Sequence, residues 1–237
     1  MSFAAILTLG FFLGMRHATD ADHVAAVSTI VARERTLRAA TPIGMLWGLG
    51  HTVAILLAGG AIVVFKFVMP PRLGLAMELA VGLMLVALGG WNLANGGDLG
   101  HEPTSKAHDH DRGHIHSSVP GLGGALGSRA TRPLIIGIVH GLAGSAAVAL
   151  LVLGTIERPV WAMAYLFVFG VGTIAGMMLI TTVLATPFVF AAGRFTRLHR
   201  GLGIIAGLLS VTLGASMIYE IGFVHGLFTS HPDWTPH

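Results

Sequence analysis

The chain has no cysteine among its 237 residues. No disulfide can brace it, and any metal site in it must use imidazole, carboxylate, carbonyl or thioether donors in place of thiolate. Charge is nearly as scarce. Asp, Glu, Lys and Arg make up 11% of the chain against 54% hydrophobic residues, with a mean hydropathy of +0.77, whereas a soluble domain carries about 25% charged residues. So much apolar side chain exceeds what one aqueous core of this length can bury, which excludes an ordinary soluble domain. Two chemical signatures are missing as well. There is no G-x4-G-K-[ST] phosphate loop, so any nucleotide coupling would need another protein, and there is no H-E-x-x-H pair of a zinc hydrolase. The N-terminus carries neither a basic leader nor an A-x-A cleavage site, which predicts a retained helix.

What is present is apolar sequence in six long runs. They span Ser2 to Val31, Pro42 to Phe67, Pro71 to Asn95, Pro133 to Glu157, Pro159 to Ala192 and Gly201 to Val224, each long enough for the about 20 helical residues that cross a bilayer. The fold class is therefore all-α, a polytopic membrane helix bundle. Proline opens four of the runs, where its missing N–H breaks no helical bond, and Pro187 inside the fifth predicts a kink or an end near Thr186. Pairs such as Gly44/Gly48, Gly172/Gly176 and Gly203/Gly207, among 33 glycines, predict close helix packing.

Basic residues orient the bundle. Arg33, Arg35, Arg38, Lys106, Arg112, Arg129, Arg132, Arg194, Arg197 and Arg200 follow odd-numbered spans, against Lys66, Arg72 and Arg158 on the other side. By the positive-inside rule both termini lie outside the cytoplasm of a cell inner or plasma membrane. The pI near 10 thus reflects topology; the expected partner is the lipid bilayer and not nucleic acid.

The two halves repeat. Gly14-Met15-Arg16-His17 matches Gly137-Ile138-Val139-His140, Gly48-Leu49-Gly50-His51 matches Gly170-Val171-Gly172-Thr173, and Gly82 to Gly89 matches Gly207 to Gly214. Three spans per half mean that the second half enters from the opposite side, predicting two inverted three-helix repeats over residues 1–95 and 133–237, a layout in which transporters place their site at midplane. Residues 96–132 between them are polar, with His101, His108, His110, His114, His116, Asp109 and Asp111. That composition cannot build a core. It predicts a cytoplasmic loop whose His108, His110, His114 and His116 bind divalent metal adaptably.

The chemistry concentrates in the first span. His17, Asp20, Asp22 and His23 fall within seven residues of an otherwise apolar run, and such groups persist in a bilayer only when they face a protein interior and meet a partner. A cation satisfies all four. On a straight helix His17, Asp20 and His23 share a face while Asp22 points about 140° away from His17. Asp22 joins the set only if the helix unwinds locally, so the carboxylate donor is either Asp20 or Asp22. His51 in the second span supplies a third imidazole. His140, repeat-equivalent to His17, is either a fourth ligand or a packing residue, with Ser145 standing where Asp22 would be. Arg16 is expected to pair with Asp20 or reach the interface, and His199 to have no special role. Imidazole with carboxylate suits Ni(II), Co(II), Zn(II) and Cu(II), and since the neutral ring is the ligand, protons compete with the ion.

His17-Ala18-Thr19-Asp20-Ala21-Asp22-His23 resembles the H-x4-D-H signature of the nickel/cobalt transporter family, and Gly50-His51-Thr52-Val53 resembles its G-H-[ST]-V motif. The resemblance implies permeation of nickel or cobalt, with His17, Asp22, His23 and His51 as site residues and Asp20 beside them. It differs from the eight-span members in carrying the signature in its first span. Ala143-Gly144-Ser145-Ala146-Ala147 replaces their acidic F-D-T-x-T-E motif, as in the shorter urease-accessory-type permeases. The expectation is a secondary permease with no cofactor and no enzymatic activity, taking Ni(II) or Co(II) as cargo, importing it, and handing it to a cytoplasmic metallochaperone. Efflux, an intramembrane metal-dependent enzyme and a metal sensor are the alternatives.

Overall fold

The computed structural model describes residues 2–65, 70–94, 131–142, 152–153, 155–156 and 158–229. The proposed histidine loop, including His101, His108, His110, His114 and His116, lies outside the described residues, as does Ser145. The described elements are α1 (Phe3–His17), α2 (Ala21–Val31), α3 (Leu37–Phe65), α4 (Pro71–Ala94), α5 (Thr131–Leu142), α6 (Pro159–Arg194) and α7 (Thr196–Tyr219), the last running into a π-helical turn, Glu220–Val224. No strand occurs among the described residues. α3, α4, α6 and α7 with its π-helical turn are long and apolar enough to cross a membrane, whereas α1, α2 and α5 are apolar but shorter.

The coordinates correct several sequence expectations. The first apolar run is two helices, because the chain leaves helical geometry between His17 and Ala21. Pro42 does not open α3 but sits inside it. The helix already starts at Leu37, where the Thr36 side chain accepts from the Ala39 amide at 3.3 Å, so the polar residues before Pro42 are taken up as its first turns. Of the two expectations for Pro187, a kink or an end near Thr186, the end does not occur, since α6 continues to Arg194. The last helix, too, begins ahead of Gly201, at Thr196. Pro71 and Pro159 do stand first in α4 and α6.

The helices pack in exchanged pairs, α1 along α6, α3 along both α5 and α6, and α4 along α7, with α2 between α4, α6 and α7. Glycine sets these approaches. A Cβ on Gly14 would collide with the Phe169 carbonyl, and one on Gly137 with that of Trp47; likewise Gly172 meets Phe11 and Gly50 meets Leu134. Residues 122 or 123 positions apart thus exchange roles between the α1/α6 and α5/α3 contacts. The α4/α7 seam repeats the relation. A Cβ on Gly89 would lie 2.6 Å from the Gly207 oxygen, and one on Gly214 would lie 2.6 Å from that of Gly82. Across this seam Ser210 donates to the Leu85 carbonyl at 2.8 Å and Asn92 to that of Gly203 at 2.7 Å. Buried polar groups are therefore spent on backbone acceptors that the close approach brings within reach.

Forcing a methyl into a close-packed interior costs about 1–3 kcal/mol. Gly137→Ala is expected to lower the thermal unfolding midpoint in detergent by several degrees, while Gly90→Ala, whose Cβ would meet nothing within 4 Å, leaves it unchanged. Equal midpoints for the two variants would contradict the packing described.

Candidate metal centre

The break between α1 and α2 builds the centre. After His17 the Thr19 amide and hydroxyl both turn back to the Arg16 carbonyl, at 2.8 and 2.6 Å. Asp20 then takes an extended conformation (φ −61°, ψ 147°) and caps α2 with its backbone only. Its carboxylate instead meets His17 Nδ1 at 2.8 Å. One extended residue swings the axis of α2, so that Asp22 and His23 in its first turn face the same interior as His17. Asp22 also stands where the amide ends of α2 favour a negative charge.

Asp22 is the hub. Its Oδ1 accepts from the His23 amide at 2.9 Å and lies 3.0 Å from His23 Nδ1, while its Oδ2 lies 2.8 Å from His140 Nε2 on α5. On the other side His17 Nε2 lies 2.8 Å from His51 Nε2 at the middle of the 29-residue α3. Two such nitrogens share one proton, one ring donating to the other. His23, His51 and His140 are fully buried and His17 nearly so. The His23 ring centroid stands 4.7 Å from that of His17, 5.1 Å from His51 and 4.2 Å from His140.

Two donor sets result, each with all donor atoms within 4.8 Å of one another. One is His17, His23 and His51; the other is Asp22, His23 and His140. His23 belongs to both. Ring nitrogens remain over: His23 Nε2, His51 Nδ1 and His140 Nδ1 are buried and have no hydrogen-bond partner, an arrangement that costs about 1–3 kcal/mol per group unless a ligand compensates. The donor chemistry fits a borderline divalent ion.

The fold thus gathers His17, Asp22, His23, His51 and His140, and it leaves Asp20 at the margin of the cluster, its side chain 42% exposed against 14% for Asp22. Asp20 is spent on His17, not on Arg16. His199 proves buried, its Nδ1 3.2 Å from the Phe188 carbonyl, a packing role between α7 and α6. Sequence reasoning overlooked Trp47. Its fully buried indole stacks 6.3 Å from His23 and stands edge-on 5.7 Å from His140, and the available signal was its position one helical turn before His51. Phe169 covers His17 at 5.7 Å.

Fold and centre define a multi-pass helical membrane protein with an interior histidine and aspartate cluster. The chain is 38% identical over 224 residues to the urease accessory protein UreH of Bacillus sp. (strain TB-90), a match covering 94% of this chain and 95% of that protein. The chain belongs to the UreH family of urease accessory proteins. No family model matches it, and no solved structure does.

Removing a partner from a buried charged hydrogen bond leaves the other side unsatisfied. Asp22→Ala is expected to destabilise the detergent-solubilised protein by about 1–3 kcal/mol in a denaturation series, and Asp20→Ala by less, since solvent replaces much of what its carboxylate contributes. The reverse order would displace Asp22 from the hub.

Proposed function

We propose that the protein is a secondary permease for Ni(II) or Co(II), with the two donor sets as successive stations for the ion. The observation that carries this reading is the overlap of the sets at His23, in the interior of a bundle with four helices fit to cross a membrane. An ion held by His17, His23 and His51 has Asp22 and His140 next to it, because His23 belongs to both sets, so the next ligands adjoin the first in a medium where a bare divalent ion is prohibitive. Ligand bonds of about 2.0–2.1 Å hold two nitrogens on one ion about 3 Å or more apart. Loading therefore moves the His17 and His51 rings apart by a few tenths of an ångström, a change that side-chain rotation absorbs.

The urease accessory role named for the relative favours nickel as the cargo and uptake as the direction, with delivery to a cytoplasmic metallochaperone. The reciprocal glycine contacts support reading the two halves as inverted repeats of three spans each, with the α1–α2 pair as the broken first span, and the ten-to-three bias of basic residues supports placing both termini outside the cytoplasm. Broken helices at an ion site are the arrangement by which such repeats coordinate their cargo. In the proposed route Asp20 steers the ion at the outer side, and the loop histidines His108, His110, His114 and His116 collect it on the cytoplasmic side.

Metal flux into proteoliposomes holding an internal chelating dye tests the proposal. Wild type is expected to admit Ni(II) or Co(II), His23→Ala to lose at least tenfold in rate, and His140→Ala to lose flux while retaining equilibrium binding through the first set. Binding with no flux in wild type would favour a sensor, and unaltered flux in His23→Ala would remove the cluster from the route.

A further inference from the structure

The two halves cover the cluster in the same way. A Cβ on Gly14, one turn before His17, would meet the Phe169 carbonyl, and one on Gly137, one turn before His140, would meet that of Trp47. The rings of those same two residues lie over the two histidines. Phe169 stands 5.7 Å from His17 and Trp47 stands 5.7 Å from His140, centroid to centroid. Phe169 follows Trp47 by 122 positions and His140 follows His17 by 123, the spacing of the repeat. One kind of helix contact thus sets an aromatic ring on a histidine twice, once from each half.

The rings stand on opposite sides of the cluster. α3 and α6 run antiparallel, for Gly44 packs on Thr181, Gly48 on Ile174 and Gly59 on Leu166, and the Thr52 hydroxyl donates to the Gly170 carbonyl at 3.1 Å. Phe169 is thus level with the residues just past Thr52, whereas Trp47 lies one turn short of His51. At about 1.5 Å of rise per residue the two positions are about 10 Å apart along the bundle, with His51 between them. Beyond each ring a buried hydroxyl has no hydrogen-bond partner: that of Tyr165, whose ring lies 6.4 Å from Phe169 on the side away from His51, and that of Thr181, opposite Gly44. The Trp47 indole N–H is buried and unpartnered too. Leaving such groups unpaired is costly, and a ring that swings aside and lets water follow would serve all three. The conformation described is closed to both sides, since His23, His51 and His140 are 0% exposed and His17 6%.

We infer that Phe169 and Trp47 are paired gates, each closing the histidine cluster toward one face of the membrane and opening in alternation with the other. The inference rests on the permease reading and adds to it which side chains move. By the bias of basic residues, Trp47, nearer the Arg38 end of α3, is the cytoplasmic gate and Phe169 the outer one. Alternating access rocks one half against the other about a fixed site, and a contact repeated in both halves gives each the same closing surface. Both rings are positioning residues, which touch the imidazole of a candidate ligand and set the face from which water and ion reach it.

Because the chain has no cysteine, a single introduced thiol reports access without background. His51→Cys puts one between the rings, and since it removes a candidate ligand the measurement asks nothing of transport. Sealed right-side-out and inside-out vesicles holding this variant are exposed to a membrane-impermeant methanethiosulfonate reagent. Labelling is expected to be slow from both faces. Adding Trp47→Ala should speed it at least tenfold from the cytoplasmic face alone, and Phe169→Ala at least tenfold from the outer face alone, while Phe12→Ala, at an exposed position of α1, speeds neither. Trp47→Leu and Phe169→Leu keep hydrocarbon in the core; each should give a same-sided gain of at least threefold, which decides the matter if the alanine variants do not fold. Acceleration of both faces by one variant, of one face by both, or of neither by either would overturn the gates, whereas an exchange of faces would keep them and reverse the bundle's orientation. Sided labelling with no metal flux in wild type would fault the permease reading, and flux without sided labelling would fault the gates.

Discussion

One carboxylate ties the interior together. Asp22 bonds a histidine on its own helix and another on α5, so a charge that would be intolerable facing lipid is spread over two imidazoles and a backbone amide. The break at Ala18–Asp20 exists in service of that bond. A continuous helix would turn Asp22 away from His17, and the cost of the extended conformation at Asp20 is met by the hydrogen bonds of Thr19 and by the capping of α2. Local backbone, charge placement and imidazole geometry are thus one constraint expressed three ways.

Bringing α3 and α5 close enough for His51 and His140 to reach the same ring demands small residues where the backbones touch. Gly50 and Gly141 face Leu134 and His51 across that contact, and Gly137 faces Trp47. The same positions fix how deeply the cluster is buried, since α3 and α5 seal it from one side and α6 presents Phe169 to His17 from the other. Packing density is therefore a determinant of the donor set and not merely of stability. A side chain added at Gly141 would move the His51 backbone before it changed any ligand.

Much of this was legible in the residues themselves. An apolar run interrupted by His17, Asp20, Asp22 and His23 announces a cluster, and the glycine registers of the two halves anticipate which helices exchange contacts. The repeat also nominated His140, which periodicity within the first span could never have reached. What stayed hidden depends on dihedral angles and on tertiary contact. Asp20 and Asp22 differ by one extended residue, and nothing in their identities says which turns inward. Pro42 looked like a helix start because the polar residues before it read as a loop, although Thr36 caps them into the helix. Trp47 went unnoticed because an indole's neighbours are set by the partner helix, here the one carrying His140.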